Sequence, residues 1–277
     1  MNMNIQRNNN SPNFHAGLTK QMRAEIKSCD INKISKELAK NNIQTDFKNN
    51  KVVAWCCLKC YELFKSLKMT LPRGIFVDDF SNMNILIKEA LAFSNPLPCK
   101  LYNDKDIVIP EKTLFFNESP LKDEYTDYWE SIDEAMDMQF AEKYSPNDFF
   151  LNTFLHEFSH IAHEDNLIKT FKPKKIESYY EKCCNNDFKE MFKIQYYQIL
   201  SKICEYATES PSEAIACDMA DRFVKNMDKD TLRMKQNFIP TSPYKKLSFK
   251  EKFMGIKKEN NIDNLIRNFW YGKIDLQ

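Results

Sequence analysis

The sequence predicts an α+β protein, predominantly helical, with a small β-sheet and an added helical layer at its N-terminus. Three observations carry that expectation. Apolar residues recur at helical spacing over most of the chain, as in Ile31, Ile34 and Leu38. β-rich runs are short and confined to one stretch, at Gly74 to Val77, Ile107 to Ile109 and Thr113 to Phe116. The run His156-Glu157-Phe158-Ser159-His160 follows them, and on a helix its i, i+4 spacing turns both imidazoles onto one face.

Residues 1–15 are polar, built around Asn8-Asn9-Asn10, and are predicted to be disordered. Residues 16–70 read as the N-terminal helical layer, with a second apolar run from Val52 to Leu67. Residues 71–277 read as the main domain. Within it, Ser81 suits the cap of a helix running through Leu91. An acidic segment follows, in which Tyr128, Ile132, Met136 and Phe140 have the spacing of an amphipathic helix. Ser145 then suits an N-cap and Pro146 the first helical position, which predicts a helix reaching about His163. Helices are expected over Ile176 to Ala207 and Pro211 to Asn226, followed by a basic helical tail with a capping-box pattern at Ser248 and Glu251.

Lys and Arg number 40 against 39 Asp and Glu, a balance that argues against a dedicated nucleic-acid binder. No run of about 18 apolar residues predicts a membrane span, and the Asn-rich start lacks the apolar stretch of a secretory signal. Nine cysteines, an odd number, are expected to be reduced thiols. The expected location is the cytoplasm, or outside it by export without a classical signal peptide. Only four glycines are present, so no phosphate-cradling loop is expected. Cys56-Cys57-Leu58-Lys59-Cys60 contains a CxxC spacing, but inside a helical run, where small buried side chains are the ordinary reading.

Chemistry concentrates at the HExxH run. His156 and His160 can share one zinc ion, and Glu157 can act as general base toward its water. A catalytic zinc takes a third protein ligand. His163 lies about 10 Å along the axis from His156 at 1.5 Å per residue, too far for a straight helix to wrap round one ion. Glu213 is the leading candidate, because its helical face continues through Ala216, Cys217 and Ala220, slim enough for close approach of a second helix. The same glutamate completes a capping box with Ser210, a competing use of its carboxylate. Glu209, another acid and His163 stay open as alternatives. Tyr206 and Tyr244 are candidates for stabilising an oxyanion, by their position near or beyond this helix.

The ten residues from Thr153 to Ala162 resemble the longer signature of zincin metallopeptidases: Thr three before the first His, uncharged residues around the ligands, and an apolar residue, Ala162, two after the second. The segment around Glu213 is similar to the helix that supplies the glutamate ligand in gluzincins, its spacing is like that of ImmA/IrrE-type peptidases, and its glutamate on a small-residue helix resembles lethal-factor-like toxins. This resemblance implies a zincin-like domain with one catalytic zinc ion and a peptide or protein substrate. It also implies that Thr113 to Phe116 binds peptide by edge addition. Two other readings share the motif: a translocated toxin or effector protease acting on a host protein, and a non-catalytic zinc-binding interaction protein.

Overall fold

Asp30 opens a helix by accepting from the backbone N–H groups of Asn32 and Lys33, and Asn50 opens another by accepting from Val53. In the computed structural model, which describes residues 20–80, 90, 92–95, 99–100, 108–109, 111–118, 146–227 and 262–274, these caps divide the N-terminal segment into three helices. They are α1 (Lys20–Ser28), α2 (Ile31–Ala39) and α3 (Lys51–Ser66). Between the last two runs a short strand, β1 (Gln44–Asp46), which helical spacing did not anticipate. Its three residues are polar and none is buried, and it pairs in parallel with the strand that begins at Gly74.

The sheet has the order β1-β2-β6-β3, with β2 (Gly74–Asp78), β3 (Ala92–Asn95) and β6 (Thr113–Asn117). The first three strands run parallel and β3 runs antiparallel to β6. A separate two-residue ladder joins β4 (Cys99–Lys100) to β5 (Val108–Ile109). Register puts Phe76 and Phe93 on either side of Phe115, and the three rings stack at 5.7 and 4.9 Å along one face. On the other face Phe116 stacks on Phe154 at 4.6 Å, fastening the sheet to the motif helix.

That helix is α4 (Pro146–Thr170), with 25 residues, so it continues well past His163. No Gly or Pro interrupts it before Pro173, and three contacts hold the extra turns. Leu167 is buried, Asp165 pairs with Lys169, and the Asn166 side chain donates to the Trp270 carbonyl at 2.7 Å. The helix expected over Ile176 to Ala207 is instead two, α5 (Pro173–Cys184) and α6 (Asn186–Leu200), followed by a 3-10 turn at Glu205–Thr208. Asn185 makes the break: its backbone is extended and its side chain accepts from Phe188 N–H, capping α6. Helices α7 (Pro211–Met227) and α8 (Ile262–Trp270) complete the architecture, which is α+β and mostly helical.

Phe64 of α3 meets Phe158 of α4 at 5.3 Å and Phe223 of α7 at 5.4 Å, both edge-on, so the N-terminal helices share one core with the later elements. Among the described residues no helix is long and apolar enough to cross a membrane. The start expected to be disordered, most of the helix expected from Ser81 to Leu91, the acidic helix expected through Phe140, the expected Ser145 cap, Tyr244 and the Ser248–Glu251 pattern lie outside the described residues.

Candidate metal centre

Every residue from Phe154 to Asp165 is buried, so this part of α4 is enclosed on all sides rather than presenting one apolar stripe. Yet the stretch includes His156, Glu157, Ser159, His160, His163, Glu164 and Asp165. Burying such groups costs free energy unless each has a partner. Ser159 Oγ donates to the Leu155 carbonyl at 2.6 Å. Asp165 accepts from Thr70 at 2.6 Å and pairs with Lys112, tying α4 to the loops before β2 and β6.

His156 and His160 point toward α7. The small buried residues Ala216, Cys217 and Ala220 let that helix approach, and Glu213 enters between the two rings. Its Oε2 lies 2.9 Å from His156 Nε2 and 3.3 Å from His160 Nε2, while the two nitrogens are 3.0 Å apart. The three atoms define a circle of about 1.8 Å radius, close to the usual ligand distance of about 2.0 Å, so these three side chains would fit a zinc ion. Among the described residues, these three side chains are the group of His, Cys, Asp and Glu close enough to share an ion.

The capping role and the cluster do not compete for the same atoms. Ser210 Oγ accepts from the Glu213 backbone N–H at 3.1 Å, while the Glu213 carboxylate lies against the histidines. Only half of the capping box forms. Burial pushes the Glu213 carboxyl up, but His160 and His156 outweigh it and hold the group well below its ordinary range. Burial likewise pulls His160 down, and the Glu213 carboxylate more than reverses this, raising it to about 9. A divalent cation would take over from that proton as the balancing charge.

Glu157 flanks the first histidine, buried, with Oε2 lacking any hydrogen-bond partner. Burial raises its pKa above the ordinary carboxyl value. An orphaned carboxylate oxygen beside a three-ligand set fits a site completed by a bound ion and its water. Tyr206, on the 3-10 turn, stands with its ring 5.8 Å from His156 and is 43% exposed. The Glu213 carboxylate, burial and Glu157 all raise its pKa, so its hydroxyl stays a donor.

The remaining candidates fall elsewhere. His163 is buried against Trp270 at 5.5 Å between ring centres, and neither ring nitrogen closes a hydrogen bond. Glu209 accepts from Lys193 at 3.0 Å, outside the cluster. Cys56, Cys57 and Cys60 are buried in α3, and burial pushes all three thiols up, as expected of packing residues. The strand at Thr113–Asn117 is not an edge: β6 is paired on both sides, and among the described residues β3 stands at the end of the sheet. Sequence spacing missed β3 because Ala92-Phe93-Ser94-Asn95 has no sustained apolar alternation.

Two contacts at the centre were also not anticipated. Ser212 Oγ lies 3.1 Å from His160 Nδ1, and Cys217 Sγ lies 3.7 Å from His156 Nδ1. Both residues lie near Glu213 on α7: Cys217 at i+4 shares its face once Glu213 is taken as facing α4, whereas Ser212 at i−1 is not marked by helical spacing. Compared with family models, curated proteins and solved structures, the chain matches none.

Proposed function

We propose that the protein is a zinc-dependent peptidase of the zincin type, with His156, His160 and Glu213 as ligands and Glu157 as general base. The observation that carries this reading is the convergence of two imidazoles and one carboxylate beside the unpartnered Glu157 oxygen. Two neutral imidazoles with one carboxylate suit zinc, and three protein ligands leave a position for water, as catalytic rather than structural zinc sites do. The sheet adds support, since among the described residues an antiparallel strand, β3, stands at its end beside α4, where an extended peptide could add as a further strand. That role passes from the Thr113 strand to β3.

Bound zinc lowers the pKa of a water toward about 7 and polarises the scissile carbonyl. Glu157 would accept a proton from the water that attacks the carbonyl carbon. The raised pKa of this buried carboxyl suits it to hold the proton and then deliver it to the leaving amine nitrogen as the C–N bond breaks. Tyr206, kept protonated by the neighbouring carboxylates, donates to the carbonyl oxygen as negative charge develops there.

The test joins metal stoichiometry to a peptide-library cleavage assay. The full chain is expected to bind one zinc ion per molecule and to cleave peptides. Glu157→Gln keeps that ion and loses about 10²–10⁴-fold in rate. One bound zinc without Glu157-dependent cleavage would instead mean a binding protein rather than a hydrolase.

A further inference from the structure

We propose that Ser212 and Cys217 are the positioning residues of the two histidines, so that α7 supplies the third ligand and the outer hydrogen-bond partner of each imidazole. The inference rests on the metal centre proposed above and deepens it. An imidazole that binds an ion through Nε2 must carry its proton on Nδ1. In a buried site that Nδ1–H needs an acceptor, and the acceptor fixes both tautomer and ring orientation. Both Nε2 atoms face Glu213, and both Nδ1 atoms face α7 side chains that can accept: Ser212 Oγ for His160 at 3.1 Å, Cys217 Sγ for His156 at 3.7 Å.

The helix geometry makes the arrangement possible. His156 and His160 are one turn apart on α4, and Ser212 and Cys217 are separated by a little more than one turn on α7, with Glu213 between them. A single close approach of the two helices therefore makes five contributions meet. The two outer bonds are unequal. A hydroxyl oxygen accepts well and a thiol sulfur only weakly, so His160 is the more firmly held ring and His156 the softer one.

The test measures zinc affinity of the full chain by competition with a chromogenic chelator, alongside thermal melting of the metal-free protein. Cys217→Val fills the same space without an acceptor, Ser212→Ala removes the hydroxyl, and Cys217→Ser restores an acceptor to the first site. Cys217→Val and Ser212→Ala are expected to weaken zinc binding by about 10–100-fold, with Cys217→Ser close to the unsubstituted chain. Melting of the metal-free forms should change little. Nitrogen NMR of the zinc-loaded unsubstituted protein gives a readout that needs no variant: both rings should carry hydrogen on Nδ1. Unchanged zinc affinity in both acceptor-free variants, or zinc on Nδ1 of either ring, overturns the positioning role while leaving the centre standing. A chain that binds no zinc at all overturns the centre and the positioning role together.

Discussion

Replacing His163 by leucine should flatten the acid side of the stability curve. The imidazole is 1% exposed, and burial, with His160 adding to it, pulls its pKa down to about 3. The Phe269 backbone opposes the shift without closing a hydrogen bond. In the unfolded chain the group returns to about 6.5. Between those values the unfolded chain binds a proton that the folded chain refuses, so stability is lost as pH falls from about 6.5 toward 3. The slope is about 1.4 kcal/mol per pH unit, and the whole window amounts to on the order of 5 kcal/mol.

Glu164 complicates the raw curve. Burial raises its pKa to about 8, so in the folded protein it holds a proton that the unfolded chain has released above about 4.5. Its contribution to stability therefore falls as pH rises through 4.5 to 8, opposite in sign to that of His163 where the windows overlap. The observable is thus the difference between the two proteins, measured by urea unfolding of the metal-free forms between pH 4.5 and 6.5. Leucine keeps the contact with Trp270, so the difference isolates the proton. The unsubstituted protein should gain on the variant by about 1.4 kcal/mol for each unit of rising pH. Parallel curves would refute the argument that His163 is buried in its neutral form.

Asp165→Asn should cost about 3 kcal/mol in denaturant unfolding at neutral pH, because it strips the part-buried Lys112 of a buried counter-charge. Burial pushes this carboxyl up, but hydrogen bonds from Lys112, Lys169 and Thr70 prevail and hold it below the ordinary value. The contribution is therefore present above about pH 4 and disappears as pH falls through the folded-state pKa, a loss that the asparagine variant should not show. Glu213→Gln keeps the length of the side chain and the backbone hydrogen bond to Ser210, so a capping role predicts little change. As a ligand substitution it should weaken zinc binding by more than about 100-fold in chelator competition, beyond the effect of losing an outer partner.

The elements most legible in the sequence were those whose burial follows a period. Ile75 and Val77 alternate along β2, and Ile34 and Leu38 mark the inner face of α2. β1 was not legible because Gln44-Thr45-Asp46 is polar, and only its partners Gly74 to Phe76 make it a strand. The end of α4 was misplaced for a related reason. Glu164, Asp165 and Asn166 look like the polar close of a helix, whereas Lys112, Thr70 and the Trp270 carbonyl, all far along the chain, receive two of them inside the protein. Long-range partners decide such boundaries, and periodicity carries no information about them.

The candidate centre was more legible than the fold around it, and the reason is geometric. Ion ligation restricts residue type and spacing together, so His156 and His160 declare themselves on one helix, and Glu213 does so through the slim side chains that let its helix approach. What surrounds a ligand is less restricted, since a hydroxyl and a thiol both serve beside Nδ1, and neither Ser212 nor Cys217 is marked by its type. The same contrast accounts for the burden of polar groups within α4. A helix chosen for packing alone would carry apolar residues at positions 157, 163 and 164, where Glu157, His163 and Glu164 each leave a polar atom without a hydrogen bond. At Glu157 that cost matches the proposed function, because a general base must keep an oxygen free for the proton it will receive. No such role attaches to His163, which makes it the position where an apolar replacement should stabilise the fold in acid without touching the chemistry.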